Sequence, residues 1–323
     1  MNQEFLDSLV VNSKYETMSL IVSCVVKNGN GGDYVMGTLK RGSEELAFKT
    51  WNSSEAFELM KDGTCGGKVC LLKGIIKDYN GKYLDVSSCE ITKESVEPYL
   101  DVVYNLETYE NFMWKILERN LSEQGITLLN KILMEDDPNI YERFRKEFAA
   151  KTFHDNCLNG LIAHTCKCLN LLENYARVYP LLFKYKGEDE EQNLKDLYFI
   201  GMALHDIGKI YEMNFGTYQH RSIVTHRVIG LEMIFPYKDE IVEIYGIDWY
   251  DFLLSIINQH HGSYGEDART LPAMVIHMID ELDSKSTYLI SQLKDGIKNN
   301  ECGETIYYKM PDVIKSVSPY FNV

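Results

Sequence analysis

Histidine is missing from the first 153 residues of this 323-residue chain; all eight, at 154, 164, 205, 220, 226, 260, 261 and 277, fall within residues 154 to 277. Imidazole is the commonest transition-metal ligand, so any histidine-based metal site must be built from that stretch. Long apolar runs are also missing. Nothing approaches the ~18 residues of a bilayer span, so a membrane protein is not expected. The first residues, MNQEFLDSLVVNSKYE, lack the basic start and long apolar core of a secretory signal, and a cytoplasmic protein is expected. No C-x-x-C pair occurs among the eight cysteines (24, 65, 70, 89, 157, 166, 168, 302). Cys65 and Cys70 stand at C-x4-C without a matching second pair, which gives a zinc ribbon little support; reduced, mostly buried thiols are the expectation. There is no repeat and no low-complexity tract. Positive charge is in deficit, with a net −15 that speaks against a protein coating duplex DNA.

What is present is an ordinary globular composition, 45% hydrophobic and 25% charged, in a chain long enough for two domains. The charge is uneven. Residues 14 to 93 hold 11 Lys/Arg against 10 Asp/Glu, whereas 99 to 323 hold 22 against 34. A near-neutral front and an acidic rear predict two modules with different tasks.

The front module reads as strands. Residues 18–26, MSLIVSCVV, are rich in β-formers, and Asn28 to Gly32 supply a hairpin turn. Strands follow at 34–40 and 45–51, where Leu46, Phe48 and Thr50 alternate with Ala47, Lys49 and Trp51. A short serine-capped helix over 53–61 precedes two more strands, 69–77 and 82–91, joined by the turn Asp78-Tyr79-Asn80-Gly81. Three strands, a helix and two strands are the order of an OB-fold barrel, a fold used for single-stranded nucleic acid. Glycines 29, 31 and 32 precede no helix and no Gly-Lys-Ser/Thr, which leaves them as turn residues rather than a phosphate loop. On such a barrel, Tyr34, Phe48, Trp51, Tyr79 and Tyr83 are candidates to stack on bases, with Lys49 and Lys82 near phosphates. Each ring taken alone is more often packing than ligand contact.

From about residue 97 the spacing turns helical, as in YENFMWKILERN, GITLLNKILM and NIYERFRKEFAAKTF. Pro138 separates two helices, and the charge run GEDEEQ (187–192) reads as a solvated loop. The histidines then acquire places. His164 lies within an amphipathic helix, His205-Asp206 closes a helix, His226 starts one, His260-His261 end another, and Asp280 sits one turn before Asp283. Separate helices each delivering His or Asp suit a bundle that gathers them in one cavity, and these donors suit Mn, Fe, Zn or Mg. An Asp beside a His can bridge two ions. Asp283 is placed to orient a ligand, while His220 and His277 read as structural.

The string His164…His205-Asp206…Asp280 resembles the HD-domain metal phosphohydrolases. HDIGK (205–209), His226 and the His260-His261 pair look like the subgroup with two metals, and with an OB-like barrel in front the chain resembles the YhaM-type 3′-to-5′ exoribonucleases over roughly residues 14 to 290. The resemblance implies that His164, His205, Asp206 and Asp280 are the core metal ligands, that His226, His260 and His261 hold a second ion, and that Lys209 meets the phosphate. The chain departs from the family pattern ahead of the first ligand, where Phe153-His154 stands in place of paired histidines and Ala163 in place of an acidic residue.

The expected architecture is therefore α+β and multidomain: an N-terminal extension (1–13), a five-stranded OB-like barrel (14–95), a helical linker (96–150), an all-α HD bundle (151–295) and a C-terminal extension (296–323). The expected activity is stepwise hydrolysis of single-stranded RNA, with single-stranded DNA a further substrate. Two divalent cations would serve it, Mn²⁺ favoured over Mg²⁺, Fe²⁺ or Zn²⁺. Asp206 bridges, Lys209 neutralises phosphate charge, and His154 holds a phosphate or protonates the leaving group. Two other classes stay open: an HD hydrolase of a nucleotide or cyclic nucleotide with the barrel as sensor, and a non-catalytic nucleic-acid binder with a structural metal. The Gly-Tyr-Pro signature of cyclic di-GMP hydrolases is absent after His261, and six or seven donors exceed what a structural metal needs.

Overall fold

The computed structural model describes residues 3–29, 32–184, 188–262 and 265–299, with the short pairs 306–307 and 316–317. Asn30 and Gly31 of the expected first hairpin turn, and most of the expected C-terminal extension, lie outside these residues. The chain divides into two compact units, Met1–Val103 and Tyr104–Val323.

The first unit is a closed barrel of β1 (Lys14–Gly29), β2 (Gly32–Arg41), β3 (Glu44–Trp51), β4 (Val69–Asp78) and β5 (Lys82–Ile91), paired in the order β1-β2-β3-β5-β4 and closed by β1 against β4. This is the expected OB-like order. β3 and β5 run parallel, and all other pairs are antiparallel. β1 is longer than its apolar run because a bulge between Ile21 and Ser23 lets one strand serve both neighbours. Gly37 faces that bulge. A Cβ there would meet the Ser23 carbonyl oxygen at 1.8 Å, so only glycine fits. Helix α2 (Glu55–Met60) starts at Ser54, whose hydroxyl accepts from Ala56 N, and buries Ala56, Phe57 and Met60 in the barrel core.

Two expectations for this unit are corrected. Phe48 is not a surface ring. Leu46, Phe48 and Thr50 form the inward row of β3 and Phe48 is 0% exposed, a burial that stabilises the barrel by about 2–3 kcal/mol. Lys82 is not a free cation either. Its Nζ donates to the carbonyls of Leu6 (2.7 Å) and Leu9 (2.8 Å), holding the end of α1 (Gln3–Ser8), a helix the sequence reading left within an undifferentiated extension. Carbonyls left open at a helix end attract a lysine. The remaining candidates stay on the outside. Tyr34 and Trp51 are paired in register with ring centroids 5.1 Å apart, Lys49 lies over the Tyr83 ring at 4.6 Å, and Tyr79 is 73% exposed at the β4–β5 turn.

The second unit is helical: α3 (Leu106–Asn120), α4 (Glu123–Asn130), α5 (Pro138–Lys146), α6 (Gly160–Val178), α7 (Glu188–Leu204), α8 (Lys209–Glu212), α9 (Thr225–Ile234), α10 (Lys238–Tyr245), α11 (Ile247–Gln259) and α12 (Leu271–Asn299). The stretch expected to link is part of the core, since Met113, Ile116 and Leu117 of α3 are buried with Leu169 and Leu172 of α6. Two local readings fail. The acidic run from Glu188 is already helix, because Asp/Glu favour a helix N-terminus. The amphipathic pattern over 139–153 stops being helix at Lys146, and residues 147–159 form an irregular segment, mostly loops and turns, that leads to α6.

Candidate metal centre

The centre is assembled from element ends. His164 sits in the first turns of α6; His205 and Asp206 occupy the turn between α7 and α8; His226 is the second residue of α9; His260 and His261 follow α11; Asp280 and Asp283 lie on α12. Gly208 makes this possible. A Cβ there would meet the His226 carbonyl oxygen at 1.9 Å, so the turn carrying Asp206 can lie against α9 only with glycine.

Asp206 divides the centre in two. Its Oδ2 lies 3.7 Å from His164 Nε2 and 3.4 Å from His205 Nε2, and Asp280 Oδ1 lies 3.1 Å from His164 Nε2. Its Oδ1 lies 3.5 Å from the Nε2 atoms of both His226 and His260, and His226 Nε2 is 2.9 Å from His261 Nε2. The seven expected ligands thus form two cradles sharing one carboxylate.

The other ring nitrogens are engaged elsewhere, which fixes which nitrogen faces the cradle. Nδ1 of His205 donates to Met202 O (2.7 Å), that of His260 to Ile257 O (2.9 Å), that of His226 to Glu212 Oε2 (2.9 Å) and that of His164 to Asp283 Oδ2 (2.7 Å). With each Nδ1 occupied by its acceptor, it is the Nε2 atoms that converge on Asp206. Among the described residues, His205 Nε2, Asp206 Oδ1 and His260 Nε2 are buried without a hydrogen-bond partner. Three such orphaned polar atoms in one cluster would each cost about 1–3 kcal/mol. A divalent cation in each cradle would satisfy them, and nitrogen with carboxylate oxygen is a fitting donor set.

The electrostatics agree. Burial pushes Asp206 up, but Lys209 and His205 outweigh it and hold the carboxyl well below the usual range. Burial keeps His260 neutral, with its pKa down at about 4, and His261 likewise at about 2. Both therefore present lone pairs at neutral pH. Lys209 Nζ lies 2.6 Å from Asp206 Oδ2.

A cavity of 310 Å³ opens beside the second cradle, lined by Lys151, Phe153, His154, Lys209, Tyr218 and Arg227 among others. His154 is buried there with its ring 4.8 Å from that of His164, and its Nδ1 is 3.1 Å from Asp155. Three cations around one opening contrast with the acidic unit that carries them, and suit an anionic substrate.

The sequence reading missed several supporting groups. Glu212 holds His226 twice, through Nδ1 and through the backbone N–H (3.0 Å). Asp155 gathers His154, Lys167 (2.9 Å) and the Tyr104 hydroxyl. Buried Glu147 accepts from the backbone of Phe215 and Gly216, fixing the turn beside Tyr218. His277, read as structural, donates from Nδ1 to the His260 carbonyl at 2.6 Å and so steadies that turn. The adjacency His154-Asp155 was a visible signal; Glu212 and Glu147 carried none.

Residues 161–285 match the family described as HD domain, and the chain carries that domain. Curated proteins named 3′-5′ exoribonuclease YhaM resemble the chain more widely. The one from Bacillus pumilus (strain SAFR-032) is 27% identical over 200 residues, 56% of this chain, which spans 59% of that relative's length. Those of Listeria innocua serovar 6a and Geobacillus sp. (strain WCH70) are both 25% identical, covering 95% and 89% of this chain and 96% and 87% of theirs. Among solved structures, an aspartyl tRNA synthetase from Entamoeba histolytica aligns with 58% of this chain and 39% of its own at 10% identity and a TM-score of 0.26, too slight a likeness to argue from.

Proposed function

We propose that this HD-domain hydrolase is a metal-dependent 3′-to-5′ exoribonuclease acting on single-stranded RNA. The observation that carries the hydrolytic part is Asp206, with one oxygen turned to each of two ligand sets. Bound divalent cations would supply Lewis acidity, lowering the pKa of a water near neutrality and polarising the phosphate.

The chain's own residues supply the rest. Lys209, whose pKa Asp206 and Asp280 raise against the opposing effect of burial, would neutralise a non-bridging phosphate oxygen as an ammonium. Lys151 and Arg227 would hold neighbouring phosphates at the cavity mouth. His154 is kept neutral, since burial outweighs the pull of Asp155. With Nδ1 donating to Asp155, its Nε2 is an acceptor suited to a hydroxyl donor such as a ribose 2′-OH. That supports a hydrogen-bonding role over proton donation to the leaving group. On the barrel, Tyr34, Trp51 and Tyr83 with Lys49 form an aromatic and basic strip suited to a flexible single strand, and exposed Tyr79 adds a further ring. RNA preference, 3′ polarity and Mn²⁺ rest on the likeness to the YhaM enzymes.

The test is end-labelled single-stranded RNA and DNA of equal sequence, linear and circular, with Mn²⁺, Mg²⁺ or chelator. A mononucleotide ladder retreating from the 3′ end of linear RNA is expected, with none in chelator and none from Asp206→Ala, which should also bind neither ion. Circular RNA cut as fast as linear RNA overturns the exonuclease. Hydrolysis of free or cyclic nucleotides alone would favour the nucleotide hydrolase.

A further inference from the structure

We propose that the barrel carries a second kind of metal site, in which Cys24, Cys65, Cys70 and Cys89 hold a zinc ion. These are all the cysteines between residues 14 and 93, and they come from four separate segments: β1, the loop after α2, β4 and β5. The sulfurs of Cys65, Cys70 and Cys89 lie within 4.8 Å of one another. Tetrahedral zinc with Zn–S bonds of about 2.3 Å places its sulfurs roughly 3.8 Å apart, so the cluster is close to that geometry.

The backbone is built to bring these sulfurs together. Cys65 stands between two glycines with positive φ, Gly63 (+75°) and Gly67 (+75°), which fold residues 63–68 into successive turns. The turns are closed by Gly66 N to Gly63 O (3.0 Å) and Lys68 N to Cys65 O (3.1 Å). They are pinned to β1 by Gly67 N to Ile21 O (2.8 Å) and Ile21 N to Lys68 O (3.0 Å). Register does the rest, because Cys70 pairs with Ile91 and Leu72 with Cys89, placing the two cysteines diagonally across adjacent strands. Cys24 stands outside this close group, with its Sγ 3.2 Å from the Met60 carbonyl at the end of α2, so to act as fourth donor it must turn from that carbonyl toward the other three sulfurs.

The chemistry favours a soft cation over simple packing. Cys65 and Cys70 are fully buried, while Cys89 and Cys24 are partly open, which leaves an entry path. Hydrogen bonding from Cys89 holds the Cys70 thiol below its ordinary value, whereas burial pushes Cys24 up and Cys65 up to about 11, and the bond to Cys70 together with burial pushes Cys89 up. Zinc binding therefore releases the thiol protons to solvent. An all-sulfur set selects zinc over the Mn²⁺ or Mg²⁺ that suits the nitrogen and oxygen cradles.

The test uses the reduced, chelator-treated full chain titrated with Co²⁺ as a reporter for zinc. Thiolate ligation gives an intense sulfur-to-cobalt charge-transfer absorption that nitrogen and oxygen ligands do not. One equivalent of thiolate-bound cobalt is expected, displaced by one equivalent of Zn²⁺ and lost in Cys89→Ala and Cys65→Ala. No such absorption in the unsubstituted protein would overturn the proposal without reliance on any variant. So would absorption that survives both substitutions but disappears in Cys168→Ala, whose sulfur lies 3.7 Å from the His164 ring nitrogens.

Discussion

Replacing Glu212 by Gln tests whether the two cradles are separable. Both carboxylate oxygens of Glu212 are used on His226, Oε1 by the backbone N–H at 3.0 Å and Oε2 by ring Nδ1 at 2.9 Å. Glutamine keeps the shape but offers one oxygen, so its amide N–H₂ must face one of these two donors. The ring loses a charged partner that orients it and raises the basicity of Nε2. Losing such a partner typically weakens metal binding about 10- to 100-fold, or ~1.4–2.7 kcal/mol. Only the cradle of His226, His260 and His261 should suffer, because His164, His205 and Asp280 make no contact with Glu212 within hydrogen-bond reach. Titration with Mn²⁺ should resolve one unchanged and one weakened affinity. Activity against metal concentration should shift by the same factor and recover at saturation. Equal weakening of both sites, or activity lost with both sites full, would refute the two-cradle reasoning.

Three further outcomes are expected. Gly208→Ala forces its Cβ to within 1.9 Å of the His226 carbonyl oxygen, so α8 and α9 must separate; a cost of about 1–3 kcal/mol or more should lower the thermal midpoint by roughly 5 °C and weaken the same cradle, and an unchanged melting curve would contradict the close approach. For pH, burial resists protonation of metal-free His164, but Cys168, Asp280 and Asp283 overcome it and raise its pKa well above the usual value, whereas His260 (about 4) and His261 (about 2) are already neutral. The stabilisation from His164 is full below its unfolded pKa and lost as pH rises through the folded one; because the metal-free imidazole carries a proton, a bound cation must displace it: calorimetry with Mn²⁺ at pH 6 in buffers of different ionisation enthalpy should show about one proton released, and affinity should fall as pH falls. Trp51→Ala removes a stacking ring worth ~1–3 kcal/mol per base, so KM for long RNA should rise roughly tenfold with kcat and short substrates unaffected; equal effects on both lengths would contradict the barrel's role.

Much of this was legible along the chain because the relevant physics is local. Serine before an apolar run caps α2, alternation marks β3, and His or Asp at helix ends can only be placed by the helices themselves. Even the parity of β3 was available: Phe48 and Trp51 are an odd number of residues apart and cannot face the same side of a strand. What the sequence could not carry is direction in three dimensions. Nothing local says that one oxygen of Asp206 turns to His164 and His205 and the other to His226 and His260, since all but the adjacent His205 reach it from other segments. Glu212 and Glu147 carried no signal, and Lys82 was expected near a phosphate, because their partners are backbone groups or rings far along the chain. The cysteines make the same point. Spacing showed one C-x4-C and no second pair, while barrel closure brings Cys89 beside Cys65 and Cys70 across a diagonal that only strand register defines. Sequence periodicity determines which residues face inward on each element; only the packing of elements against one another decides which inward-facing groups meet.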